Sequence, residues 1–177
     1  LRAFFCAGQA NKSKERHELP NAKTQYLKAL GYYTDEMIRN GDRECRMLYM
    51  LLWSELADCF QQTDELQEAV SAYTQSLHTG GLLIAEEADI DLAENVADDA
   101  YNLGKLHWKL NQRAAARDAF LLQRRYALKS IEMSGNDEAL RGNRFRLQFA
   151  LRWLMTLDDN TDSRQTLAVY QLSLIHI

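Results

Sequence analysis

Proline is almost missing from this chain: Pro20 is the only one in 177 residues, and glycine is held to eight. Both residues interrupt regular elements, so their scarcity favours long helices over a turn-rich β fold. Cysteine is scarce as well. Cys6, Cys45 and Cys59 are odd in number and widely spaced, with no C-x-x-C pair, which argues against a disulfide framework. Each stands among apolar neighbours on a helical pattern, the setting of buried thiols in a reducing compartment. No run of 18 apolar residues occurs, so no transmembrane helix is expected, and Leu1-Arg2-Ala3-Phe4-Phe5 is too short for a signal peptide. The net charge of −4 implies no global attraction to nucleic acid or anionic lipid. A cytoplasmic protein without membrane or nucleic-acid partners is expected.

Catalytic and metal-binding patterns are also lacking. His17, His78, His107 and His176 stand alone, without an H-x-x-x-H pair or a Cys/His cluster at ligand spacing. Gly80-Gly81 fits no phosphate loop and reads as the kink or end of a helix. No metal, no cofactor and no enzymatic activity are expected.

What is present is an ordinary globular balance, 46% apolar and 26% charged, in a chain long enough to bury a sizeable core. Within it one pattern recurs. Counting Met50 as position 1 puts Trp53 at 4, Leu56 at 7, Ala57 at 8, Phe60 at 11, Ala69 at 20, Tyr73 at 24 and Ser76 at 27. From Ala97, Leu103, Gly104, Ala116 and Phe120 take positions 7, 8, 20 and 24. From Ala3, Ala10, Ala22, Tyr26 and Ala29 take positions 8, 20, 24 and 27; from Asn143, Phe149, Ala150 and Trp153 take 7, 8 and 11. The starts 3, 50, 97 and 143 lie 47, 47 and 46 residues apart. Small residues at 8 and 20 let two antiparallel helices approach closely, and the aromatic at 24 fills the groove toward the next unit.

Helical periodicity agrees with this frame. Cys45, Leu48, Leu52, Trp53, Leu56 and Phe60 form one apolar stripe, and Leu66, Val70, Tyr73 and Leu77 another. The frame predicts a turn over Gln61–Asp64, with Asp64 as N-cap. Gly41-Asp42 and Gly135-Asn136 read as a glycine C-cap followed by the cap of the next helix. His107 falls at position 11, an apolar slot, and reads as a core histidine. The first copy has Gln9 and Ser13 where large residues are usual, so a frayed first helix is expected. The fourth has Asp162 and Thr166 where a small residue and an aromatic are usual, and reads as degenerate, register-shifted or truncated.

The pattern resembles the tetratricopeptide repeat signature. A standard unit of that family has 34 residues, so about 13 more are expected here, extending the second helix as in Asn111–Ser134. In this the chain is similar to the long-period arrays of kinesin light chains, of Pins-type polarity adaptors and of bacterial signalling proteins. The resemblance implies an all-α fold, a right-handed α-solenoid of antiparallel helix hairpins (a TPR-like superhelix), over residues 1–171. The tail 172–177 resembles the translation of a sequencing-library adapter and is set aside as an artefact, the alternative being a natural apolar terminus. The start at Leu1 without methionine suggests that upstream residues are missing.

The resemblance also implies a task, binding a partner protein's peptide or helix along the first helices. Positions 2, 5, 9, 12 and 13 commonly meet the ligand in such arrays. Carried over, these include Ser54, Asp58 and Gln61 in the second copy and Tyr101, Lys105, Trp108 and Lys109 in the third, with Arg144 in the fourth. Trp108 between Lys105 and Lys109 suits a peptide of acidic character; the other reading is that Trp108 packs on the neighbouring hairpin. Only Asn102 and Arg144 fit a clamp for chaperone carboxyl termini, so chaperone tails are not expected. Charge is segregated, with an acidic run from Glu86 to Asp99 followed by basic residues from Lys105 to Arg152. That is either a basic groove for an acidic or phosphorylated peptide or a set of faces that balance one another. Two other functions remain open: a sensor module of a larger kinase, ATPase or transcription regulator, and a helical-repeat subunit of an enzyme.

Overall fold

A computed structural model describes residues 2–134 and 137–157. The described residues form eight helices and no strands, in two compact units. Unit 1 spans residues 1–87 and unit 2 residues 88–177.

In unit 1, α1 (Arg2–Glu15) and α2 (Leu19–Leu30) form one hairpin, and α4 (Arg43–Gln62) and α5 (Leu66–Glu86) the next; α3 (Asp35–Asn40) is a single short turn between them. In unit 2, α6 (Ile90–Lys109) and α7 (Arg113–Met133) form the third hairpin, and α8 (Asp137–Leu157) packs on α7 and α6. Three hairpins and the opening helix of a fourth therefore follow the frame read from the sequence. The long second helices are observed too, 21 residues each in α5 and α7.

The small and aromatic positions are where the core is. Ala10, Ala57 and Ala150 at position 8, and Ala22, Ala69 and Ala116 at position 20, are all fully buried, as are Tyr26, Tyr73 and Phe120 at position 24. Gly104 shows why position 8 stays small. A Cβ built there would lie 2.6 Å from the Phe120 ring, inside any tolerable contact.

The turns within the three hairpins share one geometry. His17, Asp64 and Asn111, all at position 15, adopt left-handed backbone with φ of 60°, 60° and 58°. The following N–H, of Glu18, Glu65 and Gln112, returns to the carbonyl five residues back at 2.8, 2.9 and 2.8 Å. This is the Schellman closure of a helix C-terminus, normally built on glycine. Asp64 is therefore not the N-cap of α5 as expected; it supplies the left-handed residue, and Glu65 takes the N-cap place without a side-chain bond. Between hairpins the caps are polar. Asp42 accepts from the Cys45 N–H at 2.7 Å and Asp89 from Leu92 at 2.9 Å. Gly41 closes α3 as read, packed so tightly on the Met37 carbonyl that a Cβ has no room.

Other expectations are corrected. α5 runs through Gly80 and Gly81 to Glu86, because the apolar stripe continues through Leu83 and Ile84, both buried. α1 is a complete 14-residue helix despite Gln9 and Ser13, since it packs through the small residues Cys6, Ala7, Ala10 and Ser13. His107 is not in the core. It stands half-buried at the end of α6 with Nδ1 2.6 Å from the Gln112 Oε1. Cys6 and Cys59 are buried and Cys45 half-buried, all three as free thiols. Gly135-Asn136, Asp162, Thr166, His176 and the tail 172–177 lie outside the described residues. No helix among the described residues is long and apolar enough to cross a membrane.

Candidate functional site

Unit 1 uses its polar first-helix positions to hold itself together. Asp58, expected to meet ligand, accepts from the Tyr73 hydroxyl at 2.7 Å and from the Lys14 ammonium at 3.1 Å. Lys14 also reaches Glu55 at 2.5 Å, and Glu55 lies 3.3 Å from the Tyr26 hydroxyl, which donates to Asn11 at 2.5 Å. The result is a partly buried network joining α1 and α2 to α4 and, through Tyr73, to α5. Burial works against the Lys14 charge, but the hydrogen bond and charge of Glu55, with Asp58 behind it, outweigh that and hold its pKa above the usual lysine value. Burial and the Glu55 charge push the Tyr26 phenol strongly upward, so it stays a donor. A second link runs from Lys23 to Glu65 and Thr63 at the hairpin turn. Ser54 is half-buried on α4, and the Gln61 Oε1 is buried without a hydrogen-bond partner.

Unit 2 replaces that network with rings. Position 24 is Phe120, which has no hydroxyl, and position 9 is Lys105 in place of Asn11 or Asp58. Lys105 lies 4.5 Å over the Tyr101 ring. Tyr101 packs on Phe120 at 6.2 Å and on Phe149 of α8 at 5.9 Å. Phe120 stacks on Trp153 at 4.9 Å with 7° between the planes, and Trp108 meets Trp153 edge-on at 5.6 Å. The Arg113 guanidinium covers the Trp108 ring at 5.5 Å. Trp108 thus packs on the neighbouring helix α8 and is still 36% exposed; Phe149 is 45% exposed and Phe145 62%. Lys109 is exposed at the end of the strip.

The structure brings Tyr101, Lys105, Trp108 and Lys109 together along α6. It does not bring Arg144 to them: among the described residues Arg144 shares no hydrogen bond, ion pair or ring contact with that strip. Arg146 of α8 meets α6, bonded to Asp98 at 2.8 Å and 3.2 Å from Glu94. The hydrogen bond it donates to Asp98 raises its pKa against the burial that lowers it. Arg46 likewise holds Glu86 at 2.5 Å and Arg43 lies 3.6 Å from Glu87. Glu86, Glu87, Glu94 and Asp98 of the acidic run thus meet arginines, of which Arg146 comes from the basic stretch while Arg43 and Arg46 precede it. Among the described residues no three His, Cys, Asp or Glu gather as metal ligands.

Phe149, Arg113 and Trp153 were missed as members of the strip. Arg113 carried a signal, since it follows the turn that ends α6 and so falls back over position 12. Phe149 did not, because position 7 is a packing slot in the other copies and α8 instead buries Leu147, Ala150, Leu151 and Leu154.

No family model and no curated protein matches the chain. Among solved structures it is similar to the crystal structure of BtubC (BKLC) from P. vanneervenii, with a TM-score of 0.48 and 15% identity, covering 91% of this chain and 73% of that one.

Proposed function

We propose that this chain is an interaction scaffold of the tetratricopeptide kind, and that the strip along α6 and α8 receives an acidic peptide or helix of a partner protein. The observation that supports this is the pairing of exposed rings with cations. Trp108 and Phe149 offer apolar edges while Lys105 and Arg113 lie over the faces of Tyr101 and Trp108. A peptide side chain gains apolar contact and its carboxylate gains a cation at the same place. Nucleic acid fits less well, because the faces on which bases would stack already carry Lys105 and Arg113. Ser54, Asp58 and Gln61 belong to the fold of unit 1 in this reading, with no ligand role.

Affinity capture compares the immobilised chain with a Trp108→Ala, Lys105→Glu variant, each retained protein being quantified by mass spectrometry. Partners retained by the wild type and lost from the variant support the strip. Equal recovery on both contradicts it.

A further inference from the structure

The short helix α3 carries chemistry that neither the repeat nor the strip uses. Asn40, its last residue, precedes Gly41, and this is the only Asn-Gly pair in the sequence. Asn40 is exposed, and α3 buries none of its six residues. A helix so short and so little packed persists only through its ends. Thr34 holds the first turn: its hydroxyl accepts from the Met37 N–H at 3.2 Å and its carbonyl from Ile38 at 3.0 Å. The last turn closes where the Gly41 N–H donates to the Met37 carbonyl at 3.0 Å. That closure demands glycine, because a Cβ at Gly41 would overlap the same carbonyl oxygen. The residue the turn requires is thus the one that leaves the amide nitrogen after Asn40 unshielded by a side chain. Every other asparagine is followed by a residue with a side chain, and Asn21, Asn95, Asn102 and Asn143 lie within longer helices.

We propose that Asn40 is a site of spontaneous deamidation and backbone isomerisation, set between the first two hairpins. Hydroxide removes the Gly41 amide proton, and the nitrogen attacks Asn40 Cγ. The Cγ–Nδ2 bond breaks, and Nδ2 leaves as ammonia with a proton from water, which restores the hydroxide. The product is a cyclic succinimide. Water then opens it, at Cγ to give aspartate or at the Asn40 backbone carbonyl to give isoaspartate, whose main chain runs through Cβ and Cγ. While the Gly41 N–H is bonded to Met37 the nitrogen is occupied, so the rate follows local opening of α3. An element with no buried residue opens at small cost. The succinimide has no N–H at Gly41, so the closing bond to Met37 is lost with it. Either final product sets a new carboxylate just before Asp42, the cap of α4, and isoaspartate also lengthens the connection by a methylene. This site shares no residue with the α6–α8 strip and stands independently of it.

The test incubates the full chain at mildly alkaline pH and digests samples with a glutamate-specific protease. Mass spectrometry follows the fragment 37–44, whose only side-chain amide is Asn40, and enzymatic methylation of the isoaspartyl carboxylate scores the isomer. The expected result is exchange of amide for acid at Asn40 ahead of every other asparagine, with isoaspartate among the products and a slower reaction at mildly acidic pH. A synthetic 37–44 peptide, free of the α3 closure, should react faster than the folded chain. Thr34→Ala removes the cap of α3 and touches neither reacting residue, so it should speed the folded chain by about fivefold, the change in opening that loss of a cap brings. An amide that survives in the folded chain for as long as the free peptide takes to convert overturns the proposal. So does earlier reaction at another asparagine, or aspartate formed without isoaspartate, which would mean direct hydrolysis. An unchanged rate in Thr34→Ala overturns the control by α3.

Discussion

The Tyr73 hydroxyl donates to the Asp58 carboxylate at 2.7 Å, fifteen residues back in the chain, and Tyr26 makes the same bond to Asn11, also fifteen residues back, at 2.5 Å. Position 24 thus ties itself to position 9 in both hairpins of unit 1. Tyr73→Phe removes the donor and leaves a partly desolvated carboxylate short of a partner, for a loss of about 1–2 kcal/mol. Chemical denaturation of the wild type and the variant measures it. An unchanged midpoint would show that water replaces the phenol at no cost.

Gly104 and Gly8 are predicted to respond oppositely to alanine. Nothing lies within 4 Å of a Cβ at Gly8, so Gly8→Ala gains helix propensity and stabilises by about 0.5–1 kcal/mol. At Gly104 the same methyl group meets Phe120, which is fully buried and stacked on Trp153 and cannot withdraw. Overpacking costs about 1–3 kcal/mol there and exceeds the propensity gain. Thermal melts of the two variants decide it, and stabilisation by both would refute the close approach of α6 and α7.

His17 takes a left-handed backbone, which costs a β-carbon-bearing residue about 1–2 kcal/mol. His17→Gly is therefore expected to raise the unfolding midpoint, Asn111→Gly less so because asparagine tolerates that region better. A fall in both would mean that the turn is set by side-chain contacts and not by backbone preference.

Lys14 has a raised pKa in the folded chain, so its contribution is fully present below the usual lysine value of 10.5 and is lost as the pH rises through the folded value. Lys14→Met is expected to lower stability at neutral pH, by leaving Glu55 and Asp58 without their shared cation. The difference from wild type should then shrink as the pH passes 10.5. Denaturation curves at neutral and strongly alkaline pH check the sign. A difference that grows with pH would contradict the network.

Much of the architecture was legible in the sequence because the repeat is carried by residue size. Ala57 and Gly104 could be recognised at position 8, and both lie where helices touch. The turns were less legible. His17, Asp64 and Asn111 do the same thing at position 15 but share no chemistry, so only φ reveals the equivalence. The candidate site was half legible. Tyr101, Lys105, Trp108 and Lys109 came from the ligand positions that the resemblance to tetratricopeptide arrays implies, whereas the contacts of Asp58 depend on Lys14 and Tyr73, and such long-range pairing leaves no local pattern. On α8 the buried face is set by Leu147, Leu151 and Leu154, which the frame taken from the other copies does not place.

The central claim is that position 9 holds the fold in unit 1 and faces ligand in unit 2. The most direct test measures Asp58→Asn and Lys105→Glu side by side, each for its unfolding midpoint and for partner recovery by affinity capture. Asp58→Asn should lower the midpoint and leave recovery unchanged, while Lys105→Glu should leave the midpoint and remove the recovered partner. Partner loss with Asp58→Asn at full stability, or none with Lys105→Glu, would contradict the account.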